Sequence, residues 1–332
     1  MRAYQVVEFG PPSALQINEV ADLVPGNGQI VVEVMAAGIN FPDVLVVSGR
    51  YQILPERPFV PGKELAGVVR AVGVGVSGFA PGDRVLSQLE YGAFAEQAIV
   101  NASDSFHLPD GLGFPEATAL GLVYQTAYFA LHDRANLRSG ETVLVGGAAG
   151  GVGIAAIQLA KAFGARVLAA VRKPDQVEFV HAHGADAVID VGGANLRDDL
   201  RSQVLAVTGG QGADVVIDPV GGEFFGAALR ALAWCGRLVV IGFAAGEIPS
   251  VKANYLLVKN ISVIGLQWSD YRERKPELMS QAQTEIFRLW RTGAVRSPIT
   301  QTFAFENLPA ALDLIEKGRI RGKAAIVVRE VA

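Results

Sequence analysis

Cysteine is nearly absent. Cys235 is the only one in 332 residues, so no disulfide can close within the chain. It lies in the apolar run ALAWCGRL and reads as a core residue in preference to a nucleophile. Histidine is scarce too, at His107, His132, His181 and His183. The last two stand two apart in VHAHGAD, so on a helix they would point to roughly opposite sides. Without a cysteine cluster these residues do not assemble the convergent nitrogen and sulfur ligands of a zinc site, and they read as surface or internally satisfied groups. Excess positive charge is missing as well. The formal net charge is −4, which argues against nucleic acid and anionic lipid as partners. A long lipid-compatible run is also lacking. The one uncharged stretch, 142–160, carries five glycines within eight residues, which suits a strand, a turn and a buried helix better than a membrane span. The start, MRAYQVVEFG, has no apolar h-region, so a cytoplasmic location is expected.

What the chain has in quantity is apolar residues, 50%, with only 19% charged. That argues against disorder, and the length calls for more than one domain. Residues up to about 120 read as short β-rich segments at 3–8, 30–37, 65–74, 84–87 and 94–100, punctuated by Pro-Gly pairs at 25–26, 61–62 and 81–82. This is the texture of an antiparallel, barrel-like domain. From about 140 strands and helices alternate. Strand candidates fall at 142–145, 166–171, 187–190, 214–218, 237–241 and 261–265, each pair separated by a helix-length segment. Six such strands predict an α/β fold with a doubly wound parallel sheet. Helices at 276–291 and 306–317 and a strand at 324–328 return to a mixed style. The expected division is 1–122, 123–266 and 267–332, with the middle segment inserted into a domain built from the other two.

The strongest motif is VLVGGAAGGVGIAAIQLAKAFGARVLAAV, 143–171. Gly147, Gly150 and Gly153 follow a strand and open a helix that Gly164 closes, the order a dinucleotide-binding βαβ unit requires. Backbone N–H groups around Gly150, Gly151 and Val152 would face a pyrophosphate, aided by the helix dipole. An NAD-binding unit usually places Asp or Glu at the end of the second strand, for the ribose hydroxyls. Here that position holds Arg172 and Lys173, two cations that favour a 2′-phosphate and hence NADP(H). The alternative is that both are ordinary solvated charges.

Taken with this unit, the segments AAGINFPDVLVVSGRYQ and PFVPGKELAGVVRAVG, the GDRV at 82–85, the DPVGG at 218–222 and the GK at 322–323 make the chain resemble the zinc-independent quinone oxidoreductase branch of the medium-chain dehydrogenase/reductase superfamily, along essentially its whole length. The resemblance implies a six-stranded Rossmann sheet inserted into a GroES-like catalytic domain. Zinc-dependent relatives place ligands where this chain has Asn40, Lys63 and Leu122. It further implies Asn40 near the nicotinamide, Tyr51 as an active-site acid or substrate-positioning group, Thr126 in contact with cofactor, Gly242, Phe243 and Leu266 lining the nicotinamide, and Lys323 reaching the phosphates. Relatives carry two serines and a later lysine around the 2′-phosphate, whereas this chain has Arg172, Lys173 and then Gln176. A homodimer formed through the Rossmann domain is implied too.

The expected activity is hydride transfer from NADPH to a small electrophile, a quinone or other conjugated carbonyl. Without a metal, lowering an alcohol's pKa for oxidation is difficult. Two alternatives remain: an enoyl-thioester reductase, for which Arg50, Arg57 and Lys63 could hold a coenzyme A phosphate, and a non-catalytic NADPH-binding protein.

Overall fold

The structure, a computed structural model, describes residues 1–329. It divides into two compact units. The first comprises Met1–Leu122, Tyr271–Gln283 and the chain from Ser297 onward; the second comprises Val123–Asp270 and Thr284–Arg296.

The first unit begins with β1 (Arg2–Gln5), paired antiparallel with β2 (Gln16–Glu19). The expected strand at 3–8 is shorter than its pattern suggested, and its partner β2 carried no apolar alternation to announce it. The long β3 (Gln29–Ile39) organises the rest. Along one edge it meets β4 (Glu64–Val72); along the other its first half pairs with β6 (Gln97–Asn101). β4 continues to β5 (Arg84–Gln88), and β5 to β7 (Ser105–His107). Two register shifts in the β3–β4 pairing bend the sheet, as bulges do. The core beneath joins distant parts of the unit. The Tyr4 and Phe305 rings meet edge to face at 5.1 Å, and the Tyr4 hydroxyl donates to the Phe305 carbonyl at 3.1 Å. Burying such a side chain contributes about 1.5–3 kcal/mol.

The second unit carries β8 (Thr142–Val145), β9 (Arg166–Val171), β10 (Ala187–Asp190), β11 (Ala213–Asp218), β12 (Leu232–Val240) and β13 (Ser262–Gly265). Their order is β10-β9-β8-β11-β12-β13 and every pairing is parallel, which is the expected doubly wound sheet. Strand order reverses between β8 and β11, and such a switch point opens a ligand crevice at the carboxyl ends of the strands. The sheet interior is apolar on both faces, with Leu144, Val167, Val216 and Leu238 fully buried. Among the described residues no helix is long and apolar enough to cross a membrane.

Back in the first unit, β14 (Ile299–Ala304) pairs in parallel with β15 (Lys323–Val327), and β15 pairs with the second half of β3 along the edge that β6 leaves. The sheet thus runs β14-β15-β3-β4-β5-β7 with β6 joined to β3, a partly closed coil in keeping with the barrel-like expectation.

Two expectations need correction or refinement. Cys235 is exposed, not in the core. Opposite Asp214 alone, β12 runs through residues 233–236, because the pairing jumps from Ala213–Leu232 to Val215–Arg237. The extra residues loop out, Cys235 takes a positive φ of 61°, and Trp234 beside it is 75% exposed. The run ALAWCGRL is apolar by composition, but a bulge carries its middle away from the sheet. In addition, the segment 267–332 does not group wholly with the first unit. Residues around Arg296 are tied into the second: Tyr124 donates to the Arg296 carbonyl at 2.9 Å, and the Arg296 N–H donates to Gln158 at 2.6 Å. Buried polar side chains reaching across more than a hundred residues leave no local signal.

Candidate active site

Each unit holds a constellation of its own. In the second, the glycine loop follows β8, and Gly147 adopts φ +54°, open to glycine at little cost. Gly150 is the N-cap of the helix Gly151–Ala162. A Cβ on Gly153 would lie 2.4 Å from the Gly147 carbonyl oxygen, so loop and helix approach closely only because Gly153 has none. The first N–H groups of a helix have no partner within it, and in this glycine cradle they belong to Gly151 and Val152. At the far end Gly164 (φ +80°) closes the helix: its N–H donates to Lys161 and that of Ala165 to Ala160, a Schellman cap.

The loop after β11 adjoins the cradle, since a Cβ on Gly147 would touch Val220 and Pro219. Asp218 is buried and its carboxylate accepts the N–H groups of Val220 and Gly221 at 2.8 and 2.9 Å. Burial raises its pKa, against the pull of those two bonds. Ala244 and Ala245 donate back to Pro219 and Val220, which brings Gly242 and Phe243 against this loop. Leu266, buried at the end of β13, donates its N–H to Val240. Trp268 donates its indole N–H to Gln125, next to the buried Thr126. The carboxyl ends of β8, β11, β12 and β13 therefore bring together most of the cofactor residues expected from the sequence. A pyrophosphate fits the cradle, because the glycines at 147, 150, 151 and 153 let the backbone approach it closely.

At the end of β9, Arg172 and Lys173 are exposed, and neither has a carboxylate partner among the described residues. Their backbone N–H groups both donate to the side-chain oxygen of Gln176, at 3.1 Å each. Gln176, met in the sequence as a departure from relatives, fixes the turn that presents the two cations.

In the first unit Asn40 is the N-cap of the helix Phe41–Val47, and its N–H donates to Asp43 at 2.7 Å. Its amide donates to Glu64 at 2.9 Å. Glu64, fully buried at the start of β4, also accepts the Leu122 N–H at 2.8 Å and the Lys323 ammonium at 2.5 Å. Lys323 is itself buried and gives a further bond to the Ile39 carbonyl at 3.0 Å. Where the resemblance implied that Lys323 reaches phosphates, its ammonium here neutralises an interior carboxylate. Burial pushes Asp43 up to about 7, although Lys63, Lys323 and the Asn40 N–H favour its charged form.

Tyr51 lies in an irregular loop, with the Lys63 ammonium over its ring at 4.8 Å from the centroid. Lys63 donates to the Glu90 carboxylate at 2.8 Å, and Arg272 donates to the other oxygen of Glu90 at 2.5 Å. Burial alone would raise the Glu90 pKa, but Lys63 and Arg272 outweigh it and hold the carboxylate below its ordinary value. The Tyr51 phenol is raised, first by burial, then by Glu90 and Asp43, with Arg272 opposing. The sequence reading passed over Glu64, Asp43, Glu90 and Arg272. Only Glu64 carried a signal, as an acid opening the inward-facing run ELAGVV.

Asn40, Lys63 and Leu122, the positions at which zinc-dependent relatives hold their metal, offer an amide bound to Glu64, an ammonium bound to Glu90 and an alkyl chain. That donor set does not suit zinc.

Two family models match the chain, the alcohol dehydrogenase GroES-like domain at residues 26–110 and the zinc-binding dehydrogenase domain at 151–284. A quinone oxidoreductase-like protein 2 homolog of Nematostella vectensis is 37% identical, over 99% of this chain and 89% of its own. The Escherichia coli quinone oxidoreductase, solved in complex with NADPH, is 29% identical with a TM-score of 0.91, covering 99% of this chain and all of its own. The CurK enoyl reductase is 26% identical with a TM-score of 0.88, covering 99% of each chain. On likeness of this extent, the chain belongs to the quinone oxidoreductase branch of the medium-chain dehydrogenase/reductase superfamily.

Proposed function

We infer that this oxidoreductase binds NADP(H) and reduces a quinone or another conjugated carbonyl without zinc. The observation that carries the reading is the pairing of a glycine-rich cradle at Gly147–Gly153 with two cations at Arg172 and Lys173 that have no carboxylate partner among the described residues. Bound NADPH supplies the hydride. The cradle's N–H groups hold the pyrophosphate, and the cations meet the 2′-phosphate through charge-assisted hydrogen bonds. With one amide N–H committed to Glu64, Asn40 is fixed in orientation. The Tyr51 phenol, kept protonated at neutral pH, can donate to the substrate oxygen as negative charge develops there. A conjugated electrophile suits this site because it needs no Lewis acid to become reactive.

The enoyl-thioester reading has the CurK likeness in its favour, but the cations it would use are engaged. Arg50 pairs with Glu316 at 2.6 Å, Arg57 lies over the Phe9 ring at 4.7 Å, and Lys63 binds Glu90. We therefore favour the quinone or enone substrate. Calorimetric titration with NADPH and NADH, together with elemental analysis, tests the cofactor half. Tighter NADPH binding and no stoichiometric zinc are expected; equal affinities, or about one zinc per chain, contradict it.

A homodimer through the second unit belongs to the same reading. Among the described residues β13 pairs only with β12, and on the helix Ala253–Lys259 that precedes it Leu257 and Val258 are 78% and 77% exposed. Such a free edge beside apolar side chains suits a second copy of the chain. Sedimentation of the L257D/V258D variant as a monomer, against a dimeric parent, supports this, and a monomeric parent overturns it.

A further inference from the structure

We propose that Lys63 is a positioning residue for Tyr51: it seats the phenol ring through its face and strengthens the hydroxyl as a donor to the substrate oxygen. The proposal rests on the reading of Tyr51 given above.

A buried ammonium is costly. Lys63 is almost wholly withdrawn from water, and its charge is offset by the Glu90 carboxylate at 2.8 Å and the Glu90 carbonyl at 3.1 Å. Stability alone does not account for it, since an apolar residue of similar volume commonly serves a core as well or better than a buried ion pair. The position of the ammonium suggests the reason. It lies 4.8 Å from the centre of the Tyr51 ring, within cation–π range, in a desolvated place where that attraction is strongest.

Two consequences follow from where these residues sit. Tyr51 belongs to the irregular segment between the helix Phe41–Val47 and β4, which gives its side chain little backbone support. Lys63 immediately precedes β4 and is held at the other end by Glu90, which Arg272 grips in turn. The ring contact thus passes the sheet's rigidity to a loop tyrosine, as a precise site on a loop requires. The second consequence is electrostatic. As a phenol gives up its proton, or shares it in a strong hydrogen bond, its ring gains electron density, and a cation on the ring face stabilises that change. The charged groups facing Tyr51 are Lys63 on the approach to β4, Glu90 after β5, Asp43 on the helix and Arg272 on the helix Trp268–Arg274. Glu90 and Asp43 make the phenol a poorer acid and Arg272 opposes them; the Lys63 ammonium, 4.8 Å from the ring centre, is placed to act in the same sense as Arg272.

The test places 3-fluorotyrosine at position 51 of the full chain and follows its ¹⁹F resonance without cofactor or substrate; fluorination also acidifies the phenol, bringing its titration towards pH values at which the protein is folded. In Lys63→Gln the resonance should move and the phenol titrate at higher pH, whereas Lys63→Arg should restore both. Glu90→Gln should shift the titration the opposite way, because it removes the anion and leaves the cation. If Lys63→Gln does not fold, Lys63→Met, which keeps the stem and removes the charge, takes its place and should show the same two shifts; a titration unchanged in it overturns the proposal. With NADPH and an enone, Lys63→Gln of the natural-tyrosine protein should lower kcat about tenfold, as expected when a desolvated cation–π interaction is removed, and leave NADPH affinity unchanged. A resonance indifferent to Lys63→Gln in folded protein overturns the proposal. So does an unchanged kcat in Lys63→Gln where Tyr51→Phe lowers it. If Tyr51→Phe itself leaves turnover intact, the functional reading of Tyr51 has failed, and the fluorine spectra still judge the seating of the ring.

Discussion

Replacing Lys323 with methionine separates two roles for this residue. The side chain keeps most of its length and apolar packing but loses the ammonium that meets Glu64 at 2.5 Å and the Ile39 carbonyl at 3.0 Å. Glu64 remains fully buried with, among the described residues, the Asn40 amide and the Leu122 N–H as its donors. Removing one partner of a buried pair typically costs about 3–5 kcal/mol. At about 2–4 °C per kcal/mol for a unit of this size, Tm should fall by about 6–20 °C. The double variant Glu64→Gln/Lys323→Met leaves no uncompensated charge and should recover at least half of that loss. Differential scanning calorimetry measures both, and fluorescence titration of the folded single variant measures NADPH affinity, which should be nearly unchanged. A melting temperature within about 2 °C of the parent, accompanied by weakened NADPH binding, would refute the buried-pair account and restore Lys323 to the phosphates.

Asp43 sets a pH dependence. Its folded pKa of about 7 lies above its ordinary value, so it contributes stability at low pH that is lost as pH rises from about 4 through 7. Asp43→Asn should therefore melt higher than the parent at pH 8 and lose that advantage at pH 5; identical pH slopes for the two proteins would count against it. The variant Arg172→Ala/Lys173→Ala should weaken NADPH binding by about 1.5–3 kcal/mol for each strong charge-assisted hydrogen bond removed, with little change for NADH, and the effect should shrink at high salt. Gly153→Ala drives a Cβ to 2.4 Å from the Gly147 oxygen, so cofactor binding should be abolished or the unit destabilised; a parent-like dissociation constant would show that the cradle tolerates a side chain. Tyr51→Phe should lower turnover on enones while leaving NADPH affinity intact, and quinones, with their larger driving force, should suffer less.

The parallel sheet was legible because its central strands β8, β9 and β11 are buried on both faces and read as nearly continuous apolar runs, and because the glycines at 147, 150, 153 and 164 each answer a local backbone demand. The first unit was legible only in outline. β2, with the sequence QINE, has one intermediate apolar residue and is a strand because β1 lies beside it. The excursion at Trp234 and Cys235 was hidden because composition reports what a segment is made of, whereas the register of pairing with β11 decides where it goes. At the site, residue types were readable and partnerships were not. Asn40 and Tyr51 stood out by their motifs, but Glu64 joins Lys323 across 259 positions and Glu90 joins Arg272 across 182. Such pairs are set by the tertiary fold, and the partnership of Lys323 with Glu64 had no local signal for that reason.

The most direct test of the central claim is NADPH consumption, followed by absorbance, with the purified chain and a panel of quinones, enals and enoyl thioesters, repeated with NADH and in the presence of EDTA. The account predicts turnover of quinones or enals, NADPH preferred over NADH, and rates indifferent to the chelator. No turnover of any electrophile, exclusive turnover of enoyl thioesters, or activity abolished by EDTA would contradict it.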